Sequence, residues 1–326
     1  MASDRDGDIH PTDRQARVLV TGAGGFVGRA VLDRLAGRLS LVGVTRGAPP
    51  QATPHIEWRH ADLAAPLPPD LLDGITHVVH LAGLSAAPEA EDAAALLHTV
   101  NVDATRGLAE AALTGGVRRF VFMSSLHVHG VRPPRQPVRA ESPLIATDPY
   151  GASKIAAERA LAEIARRGLS VVALRPPLVA GPGAGGNLAR LTSLVNRGLP
   201  LPFGGIHNRR PMIGTDSLAR AVEAALFAPA AAGPYVLADG EGLSTGDLIR
   251  AIARGLGRPA RLVPIPARAA DFVLRAAGKA GAADRLFGSV TVDPSAAVAE
   301  LGWRPADSAE TAVVAMARAW KAKPSA

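Results

Sequence analysis

The hydrophobic pattern of the chain alternates between two periods, one typical of buried strands and the other of amphipathic helices. Short, mainly apolar runs occupy residues 18–20, 40–45, 56–59, 77–81, 117–123 and 169–175. Segments between them repeat apolar residues at helical spacing, most clearly in the Ala-rich stretch 86–113, which is interrupted near 99–102. Strands that alternate with helices in this rhythm predict an α/β fold with a doubly wound parallel sheet.

The first predicted strand runs into a glycine-rich turn and then into a helix. Glycines stand at 22, 25 and 28, and the helical pattern begins at Phe26 and Val27. At such a turn the backbone N–H groups point outward, no Cβ blocks close approach, and the helix dipole favours negative charge. The spacing is a variant of the dinucleotide fingerprint. We therefore predict that a dinucleotide is bound by Gly22, Gly25, Phe26, Val27 and Gly28.

The end of the second predicted strand carries information about the cofactor. Dinucleotide-binding folds specific for NAD usually place an acidic residue there, which grips the ribose 2′-hydroxyl. This chain has Val44, Thr45 and Arg46 instead. An arginine faces a 2′-phosphate, so the sequence favours NADP, with NAD as the alternative; a solvated loop cation is the other interpretation of Arg46.

Further candidate residues follow the third and fourth predicted strands. Asp62 is placed where a carboxylate accepts from an adenine amino group, although a loop or capping role explains it equally well. Ala82 and Gly83 are small residues at a strand end, which lets a cofactor pass closely. Asn101 lies in the interrupted helix, where its amide either braces the backbone of the site or packs between helices.

The candidate catalytic residues are Ser125, Tyr150 and Lys154. Asp148 and Pro149 predict an N-cap and first helical position, so Tyr150 and Lys154 share one face of the helix that follows. A phenol has a reference pKa of about 10, and a nearby ammonium stabilises the phenolate. Ser125 ends the neighbouring strand and is placed to hydrogen-bond the reacting oxygen.

The composition and pattern of the sequence change from residue 176 onward. Residues 175–187 are rich in proline and glycine and predict an irregular loop on the ligand side. We predict a loose tail at 1–16, a dinucleotide-binding domain at 17–176 and a mainly substrate-binding lobe at 177–326, partly interleaved with the sheet.

The amino-acid composition argues against several classes of site and partner. The chain has 326 residues, a net charge of +7, few aromatic residues and no cysteine. Absence of cysteine excludes disulfides and thiolate metal sites and agrees with a cytoplasmic location. Basic residues do not cluster and no apolar stretch approaches 18 residues, so neither a nucleic-acid partner nor a membrane span is expected.

Taken together, the motifs resemble those of the extended short-chain dehydrogenase/reductases of the NAD-dependent epimerase/dehydratase family. Within that family, residues 199–210 resemble most closely those of UDP-N-acetylhexosamine 4-epimerases and 4-keto reductases. The matching segments are Thr21–Gly28, Asp62–Leu63, His80–Gly83, Asn101–Val102, Ser124–Ser125 with Val128 and Gly130, Pro149–Lys154, Arg175–Pro177 and Leu301–Trp303.

The resemblance implies a Rossmann sheet with a smaller, interleaved C-terminal substrate lobe. It implies a triad of Ser125, Tyr150 and Lys154, in which Lys154 also grips the nicotinamide ribose. It further implies cofactor contacts from Asp62, Leu63, Leu81, Ala82 and Gly83. For a UDP-sugar, it implies that Asn187 and Arg210 lie near the diphosphate, with Arg285 as a further candidate phosphate ligand.

The sequence departs from the family pattern after Ser125. The family's 4,6-dehydratases place Asp and Glu directly after the catalytic hydroxyl, where this chain has Leu126 and His127. We therefore reject dehydration. His127 and His129 alternate along the predicted strand and could face one way, but two ligands without nearby carboxylates make a poor metal site, so none is expected.

Two enzymatic hypotheses and one binding hypothesis remain. The favoured one is a reductase that delivers hydride to the C4 ketone of a UDP-4-keto-6-deoxy-N-acetylhexosamine, with Tyr150 donating the proton. The second is a C4 epimerase of the UDP-glucose or UDP-GlcNAc type with tightly held NAD; Arg46 tilts the choice toward reduction. The third is a non-catalytic dinucleotide-binding sensor. The family further implies a homodimer that pairs the helix near 90–113 with the Tyr150 helix.

Overall fold

The computed structural model describes residues 13–49, 55–85, 92–130, 136–264, 275–276, 278 and 287–322. Its main sheet has seven strands, all parallel, in the order β3-β2-β1-β4-β5-β6-β9. They are β1 (Arg17–Thr21), β2 (Ser40–Thr45), β3 (Ile56–His60), β4 (His77–His80), β5 (Arg119–Met123), β6 (Val171–Arg175) and β9 (Gly233–Val236). A second, two-stranded parallel sheet consists of β7 (Leu178–Ala180) and β8 (Met212–Gly214).

Helices connect these strands and cover the sheet. They are α1 (Phe26–Leu35), α2 (Ala93–His98), α3 (Ala104–Thr114), α4 (Pro149–Ala165), α5 (Gly186–Asn196), α6 (Thr215–Phe227), α7 (Thr245–Leu256), α8 (Ser295–Leu301) and α9 (Ala309–Ala322). A π-helical segment, Thr99–Asp103, joins α2 to α3 at the predicted interruption. No helix in the described ranges is both long enough and apolar enough to cross a membrane.

The inner strands are buried on both faces, as their continuous apolar runs predict, whereas the edge strand β3 is half-buried to exposed. Val18 and Val20 of β1 pack into a cluster with α1, α6 and α8, whereas Leu19 packs into the opposite cluster with α3 and α4. Successive residues of a strand point to opposite faces, so a strand between two helical layers needs apolar residues at every position. The predicted doubly wound parallel sheet is confirmed.

The strand order reverses between β1 and β4, and this topology places the ligand crevice of open α/β sheets beyond their carboxyl ends. In open α/β sheets, ligands bind at such a switch point. The Gly-rich turn follows β1, and Leu81–Gly83 follow β4. The topology therefore brings the two predicted halves of the cofactor site to one edge.

The region beyond residue 176 contains more regular structure than the sequence predicts. The interpretation of 175–187 as wholly irregular is wrong, because β7 lies within it and pairs with β8. Leu188, Ile252 and Val313 bring α5, α7 and α9 together in a separate apolar cluster. β9 nevertheless joins the main sheet beside β6. The domain boundary at 176 stays a prediction.

A buried ion pair fixes helix α4 against the end of strand β6. Arg175 Nε donates to Glu158 Oε1 at 2.9 Å, and their side chains are only 3% and 9% exposed. Ser124 at the end of β5 donates its hydroxyl to the same carboxylate. Glu158 lies one helical turn after Lys154, so this pair holds the helix that carries the candidate catalytic residues.

His129 completes the network from the other side. Its Nε2 accepts from Arg175 Nη1 at 3.1 Å, so the proton is on Nδ1, which donates to the Pro143 carbonyl at 3.1 Å. Burial lowers the pKa of His129, and the Arg175 charge adds to this effect. A neutral imidazole therefore fits this position, because a protonated one would face the guanidinium with a second donor.

We expect Glu158→Gln to reduce the free energy of unfolding by about 3 kcal/mol or more, since it leaves a buried guanidinium without its carboxylate. Urea unfolding at pH 7.5 measures this change. Glu110→Gln is the matched control, because Glu110 pairs with Arg167 on the surface and its loss should change stability little. Equal effects of the two substitutions would contradict the role assigned to the buried pair.

Candidate active site

The Gly-rich turn forms a backbone cradle at the start of α1. Gly22 has a φ of +66°, and a Cβ there would lie 2.8 Å from the Ala82 nitrogen. A Cβ at Gly28 would overlap the carbonyl oxygens of Gly22 and Ala23. Both positions therefore require glycine, one for its backbone conformation and for close approach, the other for packing of the helix on the turn.

The N-terminus of α1 faces the crevice without a side-chain cap. Gly25 is the N-cap residue and makes no capping hydrogen bond with a side chain. Arg29, which the sequence analysis did not single out, donates from Nε to the Gly24 carbonyl at 3.0 Å and orders the turn. The free N–H groups and the helix dipole suit a pyrophosphate, so the cradle fits a dinucleotide.

Arg46 and Asp62, the residues predicted to contact the adenosine, follow the ends of β2 and β3. Arg46 is exposed just beyond β2, and its carbonyl accepts from His60 Nε2 at 2.9 Å. Its guanidinium forms no ion pair with the residues that the structure describes. Asp62 is also exposed, and its Oδ1 accepts from the Ala64 nitrogen at 3.1 Å. The Asp62 carboxylate thus stabilises a turn, whether or not it also accepts a hydrogen bond from adenine.

Asn101 braces the segment that follows β4. Its Oδ1 accepts from the Leu84 nitrogen at 2.8 Å, and its Nδ2 donates to the Leu84 carbonyl at 3.0 Å. The same Nδ2 donates to Ser153 Oγ, whose hydroxyl donates to the Tyr150 carbonyl at 2.8 Å. Of the two roles left open by the sequence, bracing of the backbone is the one observed, and Asn101 ties the cofactor edge to α4.

His80 lies buried between the same two regions. The Thr21 hydroxyl contacts His80 Nδ1 at 2.7 Å, and Thr105 Oγ1 contacts Nε2 at 2.9 Å. The Thr105 hydroxyl donates to the Asn101 carbonyl, so it must accept from His80 Nε2–H. Burial is the main reason that the pKa of His80 falls to about 3, with a smaller effect of the Lys154 charge. The ring is therefore neutral.

Ser125 and Tyr150 meet where strand β5 ends. Ser125 is buried, and its Oγ accepts from the His127 nitrogen at 3.2 Å, which starts a 3₁₀ turn over Leu126–His129. Tyr150 is half-buried in the first turn of α4, which the Asp148 side chain caps as predicted. Burial raises the pKa of Tyr150, a hydrogen bond with Ser125 lowers it, and the Asp148 charge raises it.

Lys154 is the buried cation of the site. Its Nζ donates to the Met123 carbonyl at 2.9 Å and lies 4.7 Å from the centroid of the Phe122 ring. Burial lowers the pKa of Lys154 to about 8, against the opposing charge of Glu158. The structure thus brings Ser125, Tyr150 and Lys154 to the same strand end, and Lys154 retains a donor group for a cofactor hydroxyl.

His127 and His129 do not lie on a strand, so the predicted alternation along one is wrong. In the 3₁₀ turn they point to different partners. His127 packs edge-on against the Tyr150 ring with 5.6 Å between centroids, whereas His129 contacts Arg175. Among the described residues, no group of three or more candidate ligands is arranged for a metal ion.

The predicted substrate residues belong to the second lobe. Asn187 is exposed in the first turn of α5, and Arg210 is half-buried beside β8, where its backbone pairs with Leu243. Arg285 lies outside the described residues. The Phe26 ring packs into the apolar cluster of the second lobe, so the start of α1 and the lobe are in contact.

The remaining predicted cofactor residues line the two edges of the crevice. Val27, Leu63 and Leu81 are half-buried and pack against the two core clusters, while Ala82 and Gly83 lie at the end of β4. Sequence reasoning gave no role to His80, Glu158 or Arg175. The sequence did carry a local indication for Glu158, because it lies four residues after Lys154 on the same helix. The partners of His80 and Arg175 are distant in sequence and become adjacent only when the sheet forms.

Comparison with known proteins agrees with this geometry. The model of the NAD dependent epimerase/dehydratase family matches residues 18–238. A UDP-glucose 4-epimerase of Vibrio cholerae is 35% identical over 240 residues, which cover 72% of this chain and 73% of that protein.

Two solved structures share the fold over nearly their whole length. The structure of MoeE5 in complex with UDP-glucose and NAD has a TM-score of 0.76 at 26% identity, covering 94% of this chain and 99% of that one. The UDP-glucose 4-epimerase of Thermus thermophilus in complex with NAD has a TM-score of 0.75 at 26% identity, with 94% and 100% covered. The sensor hypothesis is thereby set aside. The chain belongs to the NAD-dependent epimerase/dehydratase family and is an enzyme that uses a nicotinamide dinucleotide.

Proposed function

We propose that this enzyme transfers hydride at C4 of a UDP-sugar and acts as a 4-epimerase. The observation that carries the proposal is the meeting of Ser125, Tyr150 and Lys154 beside a glycine cradle open to a dinucleotide. The likeness to UDP-glucose 4-epimerases supports the choice of substrate and reaction.

Each member of the triad has a distinct role in the proposed reaction. Tyr150 removes the proton of the C4 hydroxyl as hydride leaves C4, and it returns a proton when hydride comes back to the other face. Ser125 donates a hydrogen bond to the same substrate oxygen and aligns it. Lys154 holds the ribose of the cofactor, which supplies the hydride acceptor when bound.

The contact of Phe26 favours a retained cofactor. An epimerase restores its cofactor in every turnover and has no need to exchange it. The ring of Phe26, in the first turn of the helix that holds the pyrophosphate, is packed into the second lobe. We propose that this contact keeps the start of α1 fixed on the second lobe and so slows release of the dinucleotide.

For the substrate, we propose that Asn187 and Arg210 bind the diphosphate of UDP. Both belong to the lobe that Phe26 joins to the cradle. An amide and a guanidinium are suitable donors for phosphate oxygens. Arg285 remains a third candidate from the sequence.

A second candidate function is the NADPH-dependent reduction of a UDP-4-keto-sugar. Arg46 favours it, since an exposed guanidinium stands where NAD-specific proteins usually carry an acid. A reductase consumes its cofactor and benefits from binding the phosphorylated form. The same triad serves this reaction in one direction only.

Conversion of UDP-glucose to UDP-galactose, followed by chromatography, tests the main proposal. We expect Tyr150→Phe to reduce turnover by about 10²- to 10⁴-fold, because the acid–base group is lost while the cradle remains intact. Tyr235→Phe is the control, since Tyr235 is the chain's other tyrosine and bonds Glu300 instead. Turnover of Tyr150→Phe at the wild-type rate would refute the assigned role.

The cofactor that copurifies with the enzyme separates the two candidate functions. Under the epimerase proposal, the denatured protein releases NAD; an empty site with NADPH-dependent reduction of a 4-keto-sugar favours the reductase. We expect Arg46→Glu to weaken NADP binding at least tenfold and to affect NAD little, because a 2′-phosphate would then face a like charge. Arg304→Glu, at another exposed arginine, controls for net charge. Equal affinity loss for both cofactors would contradict this assignment.

We also propose a homodimer that pairs α2, α3 and α4 across a two-fold axis. These helices pack against one another, and their outer positions include small residues and Leu96, which is 44% exposed. We expect Leu96→Glu to convert the dimer to a monomer in sedimentation at micromolar concentration. Leu199→Glu, also 44% exposed, should leave the dimer intact. A monomeric wild-type protein would refute the proposal.

A further inference from the structure

The 3₁₀ turn after Ser125 brings an imidazole against the phenol of Tyr150. The His127 and Tyr150 rings are 5.6 Å apart between centroids and inclined at 70°, an edge-to-face contact. The Ser125 hydroxyl accepts from the backbone nitrogen of His127 and so caps this turn. The same hydroxyl is the hydrogen-bond partner of the Tyr150 phenol. His127 is therefore placed by the residue that aligns Tyr150.

Asp148 has two oxygens with two different tasks. Oδ1 caps helix α4 by accepting from the Gly151 nitrogen at 2.7 Å. Oδ2 lies 3.4 Å from His127 Nδ1, longer than an N–H···O hydrogen bond but within the range of an ion pair. Within the described ranges His127 Nδ1 is buried and has no hydrogen-bond partner, so Asp148 Oδ2 is the acidic atom that it faces.

The phenol is thus exposed to the charge of Asp148, and His127 stands beside that charge. We propose that His127 and Asp148 form a pair that sets how readily Tyr150 gives up its proton, with His127 as a positioning residue that acts through Asp148. An N–H at Nδ1, which the neutral imidazole also carries in one tautomer, attracts the Asp148 carboxylate and holds it away from the phenol; without that group the carboxylate opposes a phenolate.

The other ionisable groups near the His127–Asp148 pair lie on α4 and in the 3₁₀ turn. From α4 and its cap, Asp148, Tyr150 and Lys154 face the site, and Lys154 donates to the Met123 carbonyl. Within the turn, His129 points away toward Arg175. The sign of the effect agrees with the geometry, because the Asp148 charge raises the pKa of Tyr150 while the Ser125 hydrogen bond lowers it.

The inference rests on the proposed acid–base role of Tyr150, yet its test needs neither cofactor nor substrate. The chain has only two tyrosines. Burial and the Glu300 carboxylate raise the pKa of the other, Tyr235, to about 12. Phenolate absorbance at 295 nm in the intact protein, after subtraction of the Tyr150→Phe signal, therefore reports the titration of Tyr150.

Two substitutions with opposite effects test the pair. Asp148→Asn keeps an oxygen for the helix cap and removes the charge, so we expect the titration midpoint of Tyr150 to fall by about half to one pH unit, the groups being partly exposed. His127→Phe keeps an aromatic edge on the phenol but removes the Nδ1 group, so the midpoint should rise.

The double variant decides whether the two residues act together. In the Asp148→Asn background, His127→Phe should no longer raise the midpoint, because no carboxylate is left for the imidazole to hold away from the phenol. His127→Gln provides a second removal of the imidazole should the phenylalanine variant fold poorly. In turnover, the pH at which Tyr150 becomes an effective base should shift in the same direction, with KM unchanged.

An unchanged midpoint in Asp148→Asn, or an equal effect of His127→Phe in both backgrounds, would overturn the inference. These outcomes differ from failure of the proposed function. If Tyr150→Phe turned over normally, the acid–base role would be lost while the titrations still measured the pair.

Discussion

A chain of hydrogen bonds through the neutral imidazole of His80 holds the two halves of the site in register. The Ala82 nitrogen donates to the Thr21 hydroxyl, Thr21 donates to His80, His80 to Thr105, and Thr105 to the Asn101 carbonyl. Each hydroxyl in this series of hydrogen bonds has one proton to donate, so the direction of each bond follows from the bonds next to it. A protonated imidazole would turn its accepting nitrogen into a donor facing the Thr21 hydroxyl. The low pKa that burial imposes on His80 therefore preserves the only arrangement in which all partners are satisfied.

The coupling continues from the cofactor edge into the catalytic helix. Asn101 spans from Leu84 to Ser153, and Ser153 bonds the carbonyl of Tyr150, so the backbone of the phenol is fixed to the segment after β4. The π-helical turn makes this possible, since an extra residue in a turn redirects the side chain that it carries. From the other end, the Arg175–Glu158 pair fixes the same helix one turn beyond Lys154. Tyr150, the proposed acid–base residue, and Lys154 are therefore positioned by partners on three strand ends rather than by packing alone.

The features that were predictable from sequence are those whose causes are local. The bounds of β2, the Asp148 cap and the helix interruption follow from neighbouring residues, and all three are found where predicted. The pairing of β7 with β8 joins residues more than thirty positions apart across a proline- and glycine-rich segment, so no local pattern announces it. The two histidines after Ser125 were misplaced for a similar reason. Ser125 caps a 3₁₀ turn there, and an alternating pattern of four residues does not distinguish such a turn from a strand.

The choice between epimerisation and reduction cannot reside in the triad, because both reactions move a proton and a hydride at the same carbon. It must reside where the enzyme controls cofactor identity and release. Two features are proposed to do so, and they favour different answers. Arg46 carries an exposed charge just beyond β2, where a 2′-phosphate is proposed to lie, whereas Phe26 packs the start of α1 into the cluster formed with α5, α7 and α9. In the proposed function, the contact at Phe26 acts on release of either cofactor, while the charge at Arg46 acts only on binding of the phosphorylated one. A retained NAD is therefore compatible with both features, since an exposed arginine costs NAD little, whereas the proposed effect of Phe26 gives no advantage to an NADPH that is exchanged in every turnover.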